Sequence, residues 1–262
     1  MTGPPPARLV APSRGSVWTT RTVAWYERAD ARSDYARRVL DVIAPLVADC
    51  RSALDVGAGF GALALPLAER LRQVTALEPS PPMATALRRG ASRRGLGNVT
   101  VIQGAWGEVE LEPHDLVICA HVGSLLHPGS PFLADVGLAA RRGVALVRDT
   151  PGGDDKFFFS ELYPILLGRT YERCNGAAAT VGALDPLGVN AAATAIEYRS
   201  DQPFDSLDDA CEFWTTHLGR DDAQARAFLR DFLADRLRRE GDRWIAPYRK
   251  RALVVHWRVP QP

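Results

Sequence analysis

The chain has 262 residues, of which 46% are hydrophobic, so it is long and apolar enough to bury a sizeable core. Its formal net charge is +1, and no basic stripe is interleaved with aromatic residues, so neither nucleic acid nor an anionic membrane is expected as a partner. The four cysteines are scattered and have no histidine at zinc spacing, so no metal site is predicted. Without an apolar membrane-length run or a signal-peptide pattern, a cytoplasmic location is predicted.

The N-terminal region divides into an arm and a first pair of helical segments. Residues 1–16 are rich in proline and small side chains and predict a flexible arm, and residues 17–262 are predicted to form a single domain. Aromatic residues are concentrated over 17–31, and apolar residues at near-helical spacing predict a helix over 33–47.

Residues 53–62 read Ala-Leu-Asp-Val-Gly-Ala-Gly-Phe-Gly-Ala, which predicts a buried strand followed by a glycine-rich turn. Gly57, Gly59 and Gly61 lack a Cβ atom, so the backbone can turn tightly and a ligand can approach it closely. A helix over 62–71 would direct its free N–H groups at that turn. Asp55 would repel a pyrophosphate there but would attract a ligand that carries an amino group and a sulfonium.

The chain then alternates between predicted strands and helices. Residues 72–79 predict a second strand that ends in Glu78 and Pro79, where nucleotide-binding sheets place a carboxylate on ribose hydroxyls. A helix is predicted over 82–94, and further strands over 99–102 and 115–120.

This ordered series, over about residues 20–150, resembles the class I S-adenosylmethionine-dependent methyltransferases. The resemblance implies an α/β fold: a seven-stranded, mostly parallel Rossmann-like sheet with helices on both faces and an antiparallel final strand. It implies S-adenosylmethionine as cofactor and a small-molecule acceptor, in biosynthetic metabolism. The residues expected at the cofactor are Asp55, Gly57, Ala58, Gly59, Gly61, Glu78, Pro79, Ala105, Trp106, Ala120 and Tyr26.

Two other classes remain open on the sequence. Gly57, Gly59 and Ala62 also satisfy the dinucleotide motif of an NAD-linked oxidoreductase, although no second dehydrogenase motif follows. A scaffold that binds the cofactor without turnover is the other alternative. Asp55 could also be a turn acid and Glu78 a solvated carboxylate at a strand end.

The segment after the third strand departs from the family pattern. Family members often have an acidic residue here that accepts a hydrogen bond from the adenine amino group, whereas this sequence has Ala105 and Trp106. A backbone N–H of either residue is expected to reach the ring instead. Trp106 would pack near the ring face or anchor the following helix in the core.

His121 follows the fourth strand, at the edge where open α/β sheets bind their ligands. A neutral imidazole near the reacting methyl group could accept a proton from the acceptor, so His121 is the candidate catalytic residue. The alternative is a structural or cofactor-shell role. The Asn-Pro-Pro-Tyr signature of exocyclic amine methylation is absent, which disfavours that nucleobase chemistry.

The second half of the chain, residues 151–262, is expected to recognise the substrate, and residues 17–150 the cofactor. A strand is predicted over 143–148, and an apolar helical insertion over 154–187 follows it and would cap the substrate. Phe158, Tyr163 and Tyr35 are the candidate substrate-binding residues. Resemblance also suggests that Trp25, Tyr26 and Tyr35 line a lid over the cofactor. Core packing or a dimer face are the alternatives for these aromatic side chains.

Beyond the insertion, periodicity predicts three helices and two strands. The helices are expected over 175–184, 207–218 and 223–239, and the strands over 191–199 and 252–259. No feature of the sequence indicates an oligomeric state.

Overall fold

The computed structural model describes residues 18–172 and 176–260, so the predicted arm over 1–16 lies outside the described residues. The strands are β1 Ser52–Val56, β2 Gln73–Leu77, β3 Val99–Ile102, β4 His114–Ala120, β5 Ala140–Asp149, β6 Ala192–Arg199, β7 Gln202–Phe204, β8 Arg238–Glu240, β9 Arg243–Ala246 and β10 Arg249–Arg258. The helices are α1 Thr20–Asp30, α2 Tyr35–Val42, α3 Ala44–Val47, α4 Ala64–Ala68, α5 Pro81–Arg93, α6 Pro131–Asp135, α7 Phe159–Leu162, α8 Gly176–Leu184, α9 Leu207–Leu218 and α10 Ala223–Arg236.

Seven strands form the main sheet, in the order β3-β2-β1-β4-β5-β10-β6. Neighbouring strands from β3 to β5 are parallel, whereas β10 runs antiparallel to both β5 and β6. The predicted sheet, mostly parallel with an antiparallel final strand, is therefore confirmed. No helix in the described ranges is both long and apolar enough to cross a lipid bilayer.

Both faces of this sheet are buried because alternate side chains of each central strand point to opposite faces. In β4, Leu116 and Ile118 join the core that contains α2 to α5. Val117 and Cys119 join the core on the other face, with α6 and α8. Helices therefore cover both faces, as the sequence predicts.

A second, three-stranded sheet has the order β7-β9-β8 and was not foreseen from the sequence. Its strands have three or four residues, which is too short for a clear alternation pattern. It packs with α9, α10 and the 157–167 segment around a separate aromatic core. Trp25 of α1 is fully buried in that core, so the expectation that it lines a lid is wrong.

Several predicted elements differ in their boundaries. The helix expected over 62–71 is only α4, because the chain continues through turns to residue 63 and Gly61 has a φ of +97°. The helix expected over 33–47 is divided into α2 and α3 at Ile43, where Pro45 begins the second piece. The helix expected over 223–239 ends at Arg236 because the next residues pair as β8.

The described residues between β5 and β6 include several short helical pieces, and their role as a cap over the substrate stays a prediction. These pieces are short 3₁₀ turns over 156–158 and 185–187, α7, a π-helical turn at Tyr163–Leu167, and α8. Pro164 lies near the start of the π-helical turn, and its missing N–H interrupts the α-helical hydrogen bonding there.

Candidate functional site

The candidate site lies at the carboxyl edge of the main sheet, where the strand order reverses. Strand β1 is flanked by β2 on one side and β4 on the other, and successive strands continue outward from both. This reversal opens a crevice at the carboxyl ends of the strands. Asp55, Glu78, His121 and Asp149 lie at or just beyond the ends of β1, β2, β4 and β5 respectively.

All three glycines of the turn after β1 have left-handed φ angles, +72° at Gly57, +58° at Gly59 and +97° at Gly61. A Cβ atom at Gly57 would overlap the side chain of Val122, whereas one at Gly59 would meet no atom within 4 Å. The turn therefore packs tightly against β4 at Gly57 and borders open space at Gly59. That space is where a ligand can approach the backbone.

The turn is tied to the end of β2 by main-chain hydrogen bonds. The N–H groups of Gly57 and Ala58 both donate to the carbonyl of Leu77, at 2.8 and 3.1 Å. Ala58 is buried, whereas Pro79, just beyond β2, is exposed. The glycine turn and the end of β2 therefore form one rigid edge of the crevice.

Glu78 lies in this edge with only 6% of its surface exposed. Its Oε2 accepts a hydrogen bond from the N–H of Gly59 and its Oε1 accepts one from the N–H of Ser80, both at 2.8 Å. Burial raises the pKa of Glu78, and the two backbone donors partly offset that rise. The carboxylate is thus fixed in orientation by the backbone.

Asp55 is 2% exposed. Burial, followed by repulsion from Glu78, raises the pKa of Asp55 from 3.8 to about 7, and a backbone hydrogen bond from Ala64 acts in the opposite direction. No cation among the described residues contributes to the electrostatics of either carboxyl group. Two buried carboxyl groups without a cationic partner suit a ligand that brings an amino group and hydroxyls.

The 105–106 turn is arranged differently from the sequence-based expectation. The N–H of Ala105 donates to Oε2 of Glu108 at 3.2 Å, and the ring of Trp106 packs edge-on against Phe132 at 5.0 Å. Glu108 thus brings a carboxylate to the turn where Ala105 and Trp106 replace the family's acid. Sequence reasoning did not consider it, although it stands only three residues beyond Ala105. The adenine contact proposed for these residues stays a prediction.

Helix α1 approaches the glycine turn through apolar side chains. Val23 packs with Met83 and Ala86 of α5, and Trp18 and Phe60 pack against this group. Tyr26, one turn further along α1, lies edge-on to Trp18 at 5.0 Å and its hydroxyl is 3.2 Å from Nε2 of His217. This position keeps Tyr26 a candidate for the cofactor shell.

His121 directly follows β4 and adopts a left-handed φ of +59°. Its N–H donates to the carbonyl of Val147 at 2.9 Å, and its Nδ1 lies 3.4 Å from Oδ1 of Asp149. The ring of Tyr35 lies 5.3 Å from the imidazole ring and 4.9 Å from the ring of Tyr198. The structure therefore brings Tyr35 and His121 together and adds Asp149, which sequence reasoning missed.

The other two candidate substrate-binding residues lie with the aromatic core. Phe158 stacks on Trp214 with 6.0 Å between ring centroids, and Tyr163 packs against Phe159 and Tyr171. Both side chains are partly buried at the edge of that core. Their role toward a substrate stays a prediction.

A family model described as a methyltransferase domain matches residues 53–136, which include the glycine turn, Glu78 and His121. Residues 53–136 therefore form a methyltransferase domain, and the strand order is that of the predicted Rossmann-like methyltransferase sheet. This domain makes the protein a methyltransferase, whose cofactor is S-adenosylmethionine.

Two solved structures show the same fold at low identity. A candidate methyltransferase of Bacillus halodurans C-125 is 15% identical, with a TM-score of 0.50 over 84% of this chain and 100% of that one. Precorrin-6y C5,15-methyltransferase of Geobacter metallireducens GS-15 is 12% identical, with a TM-score of 0.50 over 83% of this chain and 86% of that one. No curated protein sequence matches the chain significantly.

Proposed function

We propose that this enzyme transfers the methyl group of S-adenosylmethionine to a nucleophilic atom of a small molecule, with His121 as the general base. The observation that carries the proposal is the position of His121 at the carboxyl end of β4, directly after the strand beside the glycine turn. An imidazole there can accept the proton of an attacking group at neutral pH.

Each part of the cofactor has a matching group in the crevice. Asp55 would pair with the amino group and Glu78 would accept hydrogen bonds from the ribose hydroxyls, because both carboxyl groups are buried and no cation in the described part of the chain acts on either. Gly59 would leave room for the ligand beside the backbone. The remaining contacts with the cofactor would come from Tyr26, Pro79, Ala105, Trp106 and Ala120.

A small acceptor is favoured by the net charge of the chain and by the partial burial of the candidate base. The formal net charge of +1 offers no general attraction to a polyanion. The side chain of His121 is 31% exposed and lies beside the almost fully buried Tyr35. A compact molecule can contact this partly covered imidazole without a large docking surface.

The test combines cofactor binding with label transfer. Calorimetry should show S-adenosylhomocysteine binding and no NAD binding. Tritiated S-adenosylmethionine should then label members of a panel of small phenols, carboxylic acids, amines and thiols, and His121→Ala should lower that labelling by about 10²–10⁴-fold. Labelling confined to added tRNA or protein would overturn the small-molecule assignment.

A further inference from the structure

Three side chains from distant parts of the sequence meet beside the reacting end of the crevice. Tyr35 begins α2, His121 follows β4, and Asp149 ends β5. Nδ1 of His121 lies 3.4 Å from Oδ1 of Asp149, and the ring centroids of Tyr35 and His121 are 5.3 Å apart. A histidine between a carboxylate and a phenol can hold and pass on a proton.

The backbone at His121 is held in a conformation that non-glycine residues rarely adopt. Its φ is +59°, and the hydrogen bond from its N–H to Val147 fixes the chain against β5. The next strand residue, Arg148, instead extends to Gly176 of α8 on the other side of the sheet. Strained residues of this kind are concentrated at functional sites, where the surrounding structure maintains them.

The hydroxyl of Tyr35 is an unsatisfied polar group. Tyr35 is 7% exposed, and its hydroxyl oxygen is buried without a hydrogen-bond partner among the residues described. Buried hydroxyls are almost always paired, because an unpaired one loses its bonds to water without replacement. A polar atom of a bound ligand would supply the missing partner.

We infer that Asp149 is a positioning residue that orients His121, and that Tyr35 and His121 together recognise a hydroxyl group as the methyl acceptor. This inference rests on the proposed function. A hydroxyl is a poor nucleophile until its proton is removed, whereas an amine attacks with a free lone pair and a thiol ionises near neutral pH. A base supported by a carboxylate is therefore most useful for O-methylation.

The step balances without a further reactant. The acceptor oxygen gives its proton to Nε2 of His121 and forms a bond to the methyl carbon. The bond between that carbon and sulfur breaks, and its electron pair stays on sulfur, which yields S-adenosylhomocysteine. Asp149 accepts a hydrogen bond from Nδ1–H of His121 and stabilises the imidazolium that forms.

The orientation by Asp149 can be tested without knowing the acceptor. The side-chain signals of His121, assigned with His121→Gln, are titrated by NMR in the wild-type protein and in Asp149→Asn, both saturated with S-adenosylhomocysteine. The titratable groups around this pair are Asp149 and Tyr35, which contact His121, and Tyr198, Asp55 and Asp30, which act electrostatically on Tyr35 together with Asp149. Removing the carboxylate should lower the titration midpoint of His121 by about one pH unit.

The exposed Asp208 of α9 provides the matched control, since Asp208→Asn removes the same charge far from His121 in the fold and should leave that midpoint unchanged. An unchanged midpoint in Asp149→Asn would overturn the positioning role. Loss of S-adenosylhomocysteine binding by the wild-type protein would instead overturn the proposed function, so the two failures are distinguishable.

Phenol serves as the probe for the acceptor group. Phenol added to the complex with S-adenosylhomocysteine should shift the signals of His121, whereas toluene, which has no hydroxyl, should not. Tyr35→Phe should weaken that phenol response about tenfold, because it removes only the unpaired hydroxyl. Equal responses to phenol and toluene, or no effect of Tyr35→Phe, would overturn the hydroxyl assignment.

Discussion

The N–H of Gly59 donates a 2.8 Å hydrogen bond to Oε2 of Glu78, so the open glycine of the turn and the acid after β2 form one unit. The same carboxylate binds the N–H of Ser80 through its other oxygen. Glu78 therefore shapes the crevice, and its remaining lone pairs are available for the proposed contact with the ribose. The structural role and the proposed binding role can be distinguished by comparing ligands with and without ribose hydroxyls.

Glu78→Ala should weaken S-adenosylhomocysteine by roughly 1.5–3 kcal/mol, because charge-assisted hydrogen bonds to the ribose are lost. Isothermal calorimetry measures this loss. The same substitution should weaken the binding of an analogue without the two ribose hydroxyls much less. Equal losses for the two ligands would show that the substitution acts only by loosening the turn at Gly59.

Gly59→Val should weaken S-adenosylhomocysteine at least tenfold, about 1.4 kcal/mol, because the branched side chain would fill the open space beside the turn. Gly95→Val is the matched control: Gly95 has a φ of +67° and a Cβ there would also meet no atom within 4 Å. Because both glycines have left-handed φ angles, the two substitutions impose similar backbone strain. Gly95 lies after α5, away from the crevice, so its substitution should leave binding unchanged. If a folded Gly59→Val protein bound S-adenosylhomocysteine with normal affinity, the cofactor site would not lie at Gly59.

The raised pKa of Asp55 predicts how stability depends on pH. That pKa is 3.8 in an unfolded chain and about 7 in the folded protein, so the folded state binds more protons between pH 4 and 7. The free energy of unfolding should therefore fall as pH rises through this window. Asp55→Asn should flatten the fall in urea titrations, leaving a smaller slope from Glu78. An equally steep fall in the variant would be inconsistent with a buried, protonated Asp55.

Cofactor affinity should show the opposite dependence on pH. The amino group of S-adenosylhomocysteine is protonated from pH 5 to 8, whereas Asp55 gains its negative charge only near pH 7. Binding should therefore strengthen over that range in the wild-type protein. In Asp55→Asn it should be weak and nearly independent of pH. A wild-type affinity that falls toward pH 8 would argue against this ion pair.

Asp209→Ala should cost about 2–3 kcal/mol of unfolding free energy, because it leaves the buried indole N–H of Trp25 without its acceptor. Asp209 accepts hydrogen bonds from Nε1 of Trp25 at 2.7 Å and from Arg21 and Arg28 at 2.9 Å each. Urea denaturation provides the measurement.

The neighbouring Asp208 is the control, since it is 78% exposed and pairs with Arg230 at the surface of α9 and α10. Asp208→Ala should cost at most about 1 kcal/mol. Similar losses in the two variants would mean that Asp209 does not anchor α1.

The edge formed by the glycine turn and Glu78 was predictable because its parts are close in sequence. Three alternating glycines can adopt left-handed φ angles at little cost, and an acid after the next strand falls at a fixed place in such a sheet. The strands β3 and β4 and the helix α9 were likewise placed by periodicity to within a residue or two. Short elements were not: α4 and the strands β7, β8 and β9 are too brief to leave a periodic signal.

The sequence alone thus determined the fold class, the glycine turn and the positions of Asp55 and Glu78, since each follows from local backbone requirements and strand order. Tertiary structure decided which distant side chains meet. Trp25 and Asp209 are 184 residues apart, and only the packing of α1 against α9 joins them. The same holds for Tyr35 in α2, His121 just after β4 and Asp149 at the end of β5. Their contact depends on strand register and helix docking, and no local pattern of residues encodes either.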